Sequence, residues 1–90
     1  MIQQREITIS NKLGLHARAA AKLVSAASAY TADIFLDKEG QRINGKSIMG
    51  VMMLAASQGT KLTLVIDGRD EVEAMRALLD LIDDKFGEGE

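Results

Sequence analysis

The chain has no cysteine and no proline, a single histidine, and two Phe and one Tyr as its only aromatic residues. Without thiols, structural disulfides and thiolate metal sites are excluded. One imidazole and no cysteine also exclude a zinc-finger-type cluster, so no metal is expected. So few rings leave little surface on which bases could stack, and a formal net charge of -2 gives no bulk attraction to a polyanion. A nucleic-acid partner is therefore not expected. No apolar run approaches the roughly 18 residues of a membrane span, so membrane insertion is not expected either. Met1-Ile2-Gln3-Gln4-Arg5 lacks the apolar stretch of a secretory leader, and the expected location is the cytoplasm.

What is present suits one small globular unit. Ninety residues, 47% of them hydrophobic and 27% charged, are enough for a single domain, residues 1–90. A core of that size closes without staples, though with a thin margin. The charges are unevenly placed. Residues 7–32 contain no Asp or Glu but carry Lys12, Arg18 and Lys22, and residues 40–66 are likewise free of acids and carry Arg42, Lys46 and Lys61. The acids gather late, from Asp67 to Glu90. If the two acid-free windows meet in space, they form a face that attracts an anion or an acidic partner.

Periodicity gives the element order β-α-β-β-α-β-α. Residues 6–9 alternate, with Ile7 and Ile9 on one face, as a strand does. Asn11-Lys12-Leu13-Gly14 is a turn. From 17 to about 29 the chain is alanine-rich, and Ala20, Leu23, Val24 and Ala27 recur at helical spacing. Residues 33–37 and 41–43 form a hairpin around Lys38-Glu39-Gly40. Asn44-Gly45 turns the chain, and Ser47 is a favourable N-cap for a short apolar helix from 48 to about 55. Residues 61–66 alternate with Leu62, Leu64 and Ile66 on one face. Asp70 with Glu73 reads as a capping box. It opens a long helix lined by Val72, Met75, Leu79, Ile82 and Phe86 and stopped by Gly87. The economical packing is an α+β two-layer domain, one sheet with all helices on one face.

The chemistry is to be sought at Gly14-Leu15-His16-Ala17-Arg18. His16 stands where a loop becomes a helix, next to unpaired N–H groups and the positive end of the helix dipole, a place that binds phosphate. The amides of Ala17 and Arg18 are the candidate phosphate-binding backbone, and the Arg18 guanidinium offers a fork for phosphate oxygens. Neutral imidazole has one unprotonated ring nitrogen that can act as a phosphoryl acceptor. Since no acid lies nearby in sequence to activate water, a carrier is favoured over a hydrolase. A lone histidine in an arbitrary chain is more often a capping or surface residue, and spacing alone leaves the two readings about even.

Gly14-Leu15-His16-Ala17-Arg18-Ala19-Ala20 closely resembles the active-site motif of HPr, the histidine-containing phosphocarrier family of the bacterial phosphoenolpyruvate-dependent sugar phosphotransferase system. Asn44-Gly45-Lys46-Ser47-Ile48-Met49-Gly50-Val51-Met52 resembles that family's second signature. The two motifs stand in the family's order, and the resemblance covers essentially the whole chain. It implies an open-faced β-sandwich, a four-stranded antiparallel sheet with three helices on one side. It also implies a protein that is not itself an enzyme: His16 takes phosphate on Nδ1 from phosphorylated Enzyme I, Arg18 assists, and an Enzyme IIA protein receives the group, with no cofactor. One position departs from the pattern: Ala19 stands where the family usually has proline.

Ser47 has a plain structural role as an N-cap, and the resemblance adds a second one, as the phosphorylation target of HPr kinase/phosphorylase. Ile48, Met49, Met52 and Met53 crowd a helix too short to bury them all, and the exposed members form an adaptable apolar patch. The resemblance makes this helix and the start of the first one a common docking surface, to which Ala20, Ile48, Met49 and Met52 are assigned. A monomer suits such a shuttle. The alternative function is mainly regulatory: a Ser47-phosphorylated module that binds a transcription factor or enzyme, or a nitrogen-branch carrier.

Overall fold

The computed structural model describes residues 1–89. The strands are β1 (Gln3–Thr8), β2 (Asp33–Lys38), β3 (Gln41–Asn44) and β4 (Lys61–Asp67); the helices are α1 (Ala17–Ser28), α2 (Ile48–Met53) and α3 (Glu71–Asp83). The strands form one sheet in the order β1-β4-β2-β3, every neighbouring pair antiparallel. β1 and β2 therefore run parallel with β4 between them, and α1 joins them. α2 joins β3 to β4 across β2 in the same way. Among the described residues, no helix is long and apolar enough to cross a membrane.

One sheet face carries Ile7, Ile34, Leu36, Leu62, Leu64 and Ile66. They cluster with Ala20, Leu23 and Ala27 of α1, Val51 of α2, and Ala74, Met75, Leu78 and Ile82 of α3, so the three helices share that face as expected. Each large side chain in the cluster contributes about 1.5–3 kcal/mol by leaving water. A surface pair such as Arg42 with Asp37, 2.8 Å apart across the β2–β3 hairpin, contributes about 0–1 kcal/mol. The alternating strands, not the surface charges, hold the layers together. The alanines of α1 let that helix lie close to the sheet.

Three local expectations give way. β1 begins at Gln3 instead of residue 6. Its first residues show no apolar alternation, and they are held by pairing with β4, Gln3 opposite Ile66. Asp70 stands at the N-cap of α3 but makes no capping bond. Its carboxylate instead accepts the N–H groups of Thr31 and Ala32, both at 2.9 Å, tying α3 to the start of β2. Val72 points outward, 57% exposed, because α3 is rotated so that Glu71 takes the inward position. Glu71 accepts the N–H of Gly68 at 3.0 Å, which makes a buried carboxylate acceptable there.

Candidate functional site

The loop before α1 is rigidly set. Asn11 is fully buried and donates from Nδ2 to the carbonyl of Gly14 at 2.8 Å, while the Gly14 N–H returns to the Asn11 carbonyl at 3.2 Å. Gly14 has φ +67°, and a Cβ there would lie 2.4 Å from the Ala56 carbonyl oxygen, so only glycine fits. Leu15 is buried, and its N–H donates to that same Ala56 oxygen at 2.8 Å. This bond ties the site to the segment just after α2. The chain then delivers His16 as the N-cap of α1, with extended backbone (φ −73°, ψ 179°).

The His16 ring is 29% exposed and neither of its nitrogens is left to chance. Nδ1 accepts the N–H of Arg18 at 3.3 Å. An acceptor nitrogen carries no hydrogen, so the proton of the neutral ring sits on Nε2. Nε2 lies 2.5 Å from Oε2 of Glu88, to which it donates. The unprotonated nitrogen thus faces the positive end of α1, whose first-turn N–H groups have no acceptor within the helix. The bond to Arg18 is long, so a phosphoryl oxygen arriving at Nδ1 can take over that N–H. Ala17 and Arg18 are exposed at this end. The Arg18 guanidinium makes no hydrogen bond among the described residues and is available to a ligand. Lys12 and Leu13 complete the open cleft.

Glu88 and Asn11 escaped the sequence reading. The absence of a nearby acid holds along the chain but fails in space, because Glu88 lies 72 positions from His16. It is brought back by the segment after α3. Lys85 and Phe86 adopt left-handed backbone (φ 53° and 56°), Phe86 is buried, and Lys22 of α1 donates to the Phe86 carbonyl at 2.7 Å. Asn11 Nδ2 holds Oε1 of Glu88 at 2.9 Å. That hydrogen bond, followed by those of the His16 ring and the charge of Arg18, keeps the Glu88 carboxyl below the ordinary carboxylate range, against the opposing effect of burial. The one local hint was a polar residue, Asn11, three positions before a glycine whose backbone it closes.

Ser47 is the N-cap of α2, and its Oγ accepts the N–H of Gly50 at 3.1 Å. Only Val51 of α2 is buried. Ile48, Met49, Met52 and Met53 are 45%, 74%, 44% and 68% exposed, forming an apolar face beside α1. Ala20 does not belong to it. Its exposure is 0% because it lies on the stripe of α1 that meets the sheet, so it cannot touch a partner. The outward small residues are Ala17 and Ala21.

A family model described as "PTS HPr component phosphorylation site" matches residues 3–84. The chain is 56% identical over 87 residues to the phosphocarrier protein HPr of Neisseria meningitidis serogroup A, covering 97% of this chain and 98% of that one. It is 49% identical over 78 residues to the HPr-like protein Crh of Bacillus subtilis, covering 87% and 91%. Among solved structures, HPr from Thermoanaerobacter tengcongensis superposes with a TM-score of 0.93 at 49% identity, over 96% of this chain and 97% of that one. An imidazole held at a helix N-terminus in this fold, with these relatives over nearly its whole length, makes the chain a member of the HPr family, phosphocarriers of the phosphotransferase system.

Proposed function

We propose that this protein accepts a phosphoryl group on Nδ1 of His16 from phosphorylated Enzyme I and passes it to an Enzyme IIA protein. The observation that carries the reading is the state of the ring: Nδ1 is unprotonated and aimed at the amide end of α1, while Nε2 is occupied by Glu88. Phosphoryl transfer asks little of a protein beyond alignment and charge stabilisation. The amides of Ala17 and Arg18 and the Arg18 guanidinium supply that stabilisation. Among the described residues, the only nearby carboxylate is engaged by the ring and by Asn11, so it is not free to activate water. The exposed face of Ile48, Met49 and Met52 is the surface on which successive partners dock.

The test is transfer from labelled phosphoenolpyruvate in the presence of Enzyme I. The wild type takes up one acid-labile phosphate and His16→Ala takes up none. Uptake that survives the substitution overturns the proposal.

Ser47 supports a regulatory role on the same molecule. Its hydroxyl lies at the start of α2 beside exposed Ile48 and Met49. A phosphate there suits the helix N-terminus electrostatically and sets a dianion against the docking face, repelling an acidic partner. HPr kinase/phosphorylase is the expected modifying enzyme. Incubation with that enzyme and ATP labels the wild type with an acid-stable phosphate, and Ser47→Ala is not labelled.

A further inference from the structure

Met49, Met52 and Met53 stand at i, i+3 and i+4, so three thioether sulfurs share one outward face of the short helix α2. We propose that these methionines are a site of reversible oxidative modification: a hypohalous acid converts them to sulfoxides, and the modified face no longer receives the enzyme that donates the phosphoryl group. This deepens the carrier reading and rests on it, because it names a regulation of the same docking face.

Composition and exposure set the chemistry. The chain has no cysteine, so its exposed thioethers are the softest nucleophiles it offers an electrophilic oxidant. A sulfur lone pair attacks the chlorine of hypochlorous acid, and the oxygen–chlorine bond breaks as hydroxide leaves. Water then bonds to sulfur, and chloride departs with the electron pair of the sulfur–chlorine bond. The added oxygen sheds two protons, one of which neutralises the hydroxide. Sulfur has lost two electrons and chlorine has gained them, and the products are sulfoxide, chloride and one proton. A flexible apolar side chain has become a polar one, and methionine sulfoxide reductases reverse the change.

The fold confines the effect to the docking face. Of the five methionines, Met75 is 4% exposed and lies in the core, out of reach of an oxidant in water. Met1 precedes β1, with its amino group 3.3 Å from Glu71, at the opposite end of that strand from the loop leading to His16. α2 does not depend on the exposed sulfurs for its place. Val51 anchors it in the core, the Ser47 hydroxyl caps its start, and Lys38 Nζ donates to the Leu54 carbonyl at its end at 2.9 Å. Oxidation therefore changes what the face presents and leaves the fold standing. The bond from the Leu15 N–H to the Ala56 carbonyl, just beyond α2, keeps that face beside the histidine.

The experiment treats the wild type with limiting hypochlorous acid, quenches it with free methionine and maps the added oxygen by peptide mass spectrometry. Oxygen is expected on Met49, Met52 and Met53, with Met75 untouched. The rate of labelling from phosphoenolpyruvate and Enzyme I is then compared, for each protein, with its own rate before treatment. The treated wild type labels His16 about tenfold more slowly, and methionine sulfoxide reductases restore the rate. Phosphoramidate, a small donor that needs no docking face, labels treated and untreated protein equally. A variant carrying Met49→Leu, Met52→Leu and Met53→Leu keeps the face apolar without its sulfurs, and it holds its own rate through the same treatment. Unchanged labelling by Enzyme I once the three methionines are oxidised overturns the inference and leaves the carrier reading standing. An equal loss in the leucine variant, or with phosphoramidate, also overturns it, because the damage then lies at the histidine. Failure of the untreated wild type to label on His16 overturns both.

Discussion

Asn11 is fully buried, and both hydrogens of its amide are committed, one to the Gly14 carbonyl and one to Glu88. The site therefore needs a double donor at this position. Asn11→Asp sets a second carboxylate against Glu88 and a carbonyl, and is expected to destabilise the fold by about 2–4 kcal/mol at neutral pH. Urea unfolding measures this, and the deficit shrinks in acid as the introduced carboxyl protonates. The native carboxylates set a second expectation. Asp70 is held below the ordinary range chiefly by the Thr31 N–H, Glu71 chiefly by the Gly68 N–H, and Glu88 chiefly by Asn11. Groups lowered in the folded state bind protons more readily when unfolded. Their contribution is complete above the unfolded value of about 4 and is lost as pH falls through the lower folded values. Unfolding free energy measured from pH 7 to pH 2 should be flat at first and then fall, and Asp70→Asn should reduce the slope of that fall.

The elements show where sequence reading succeeds. Leu62, Leu64 and Ile66 at period two, and Ala20, Leu23 and Ala27 at helical spacing, face the core as their spacing requires. Patterns of this kind are local, so the chain alone reveals them. Ser47 is legible for the same reason. Because α2 is only Ile48–Met53, its cap matters: Ser47→Ala leaves the Gly50 N–H without its partner and should lower stability by about 1 kcal/mol in thermal or urea melts. The reading failed at α3, where a tertiary contact replaced a local one. Asp70 looks like a capping residue in sequence, but the N–H groups of Thr31 and Ala32, 39 and 38 positions away, claim its oxygens. Glu71 displaces Val72 from the inward face because its carboxylate has partners there that no helical wheel can show.

Over the whole molecule, His16 at the N-cap of α1, Arg18 beside it and the exposed methionines of α2 were legible because two short motifs carry them. Glu88 was not, because the fold alone joins the C-terminal segment to the start of α1, through Phe86 and Lys22. The assignment of Ala20 to the docking surface came from the motif, and the helical spacing that places it on the buried stripe is what the fold follows. Met49 is 74% exposed and contributes little to the core, so Met49→Glu should leave the melting temperature unchanged. It should slow transfer from Enzyme I by about tenfold, the effect of losing one apolar anchor at an interface. The central claim is that Nδ1 of His16, not Nε2, is the transferring atom. ¹⁵N-labelled protein, phosphorylated with Enzyme I and phosphoenolpyruvate, tests it through the one-bond coupling between phosphorus and ring nitrogen. The account predicts phosphorus on Nδ1 with hydrogen still on Nε2. Phosphorus on Nε2, or on any residue other than His16, would contradict it.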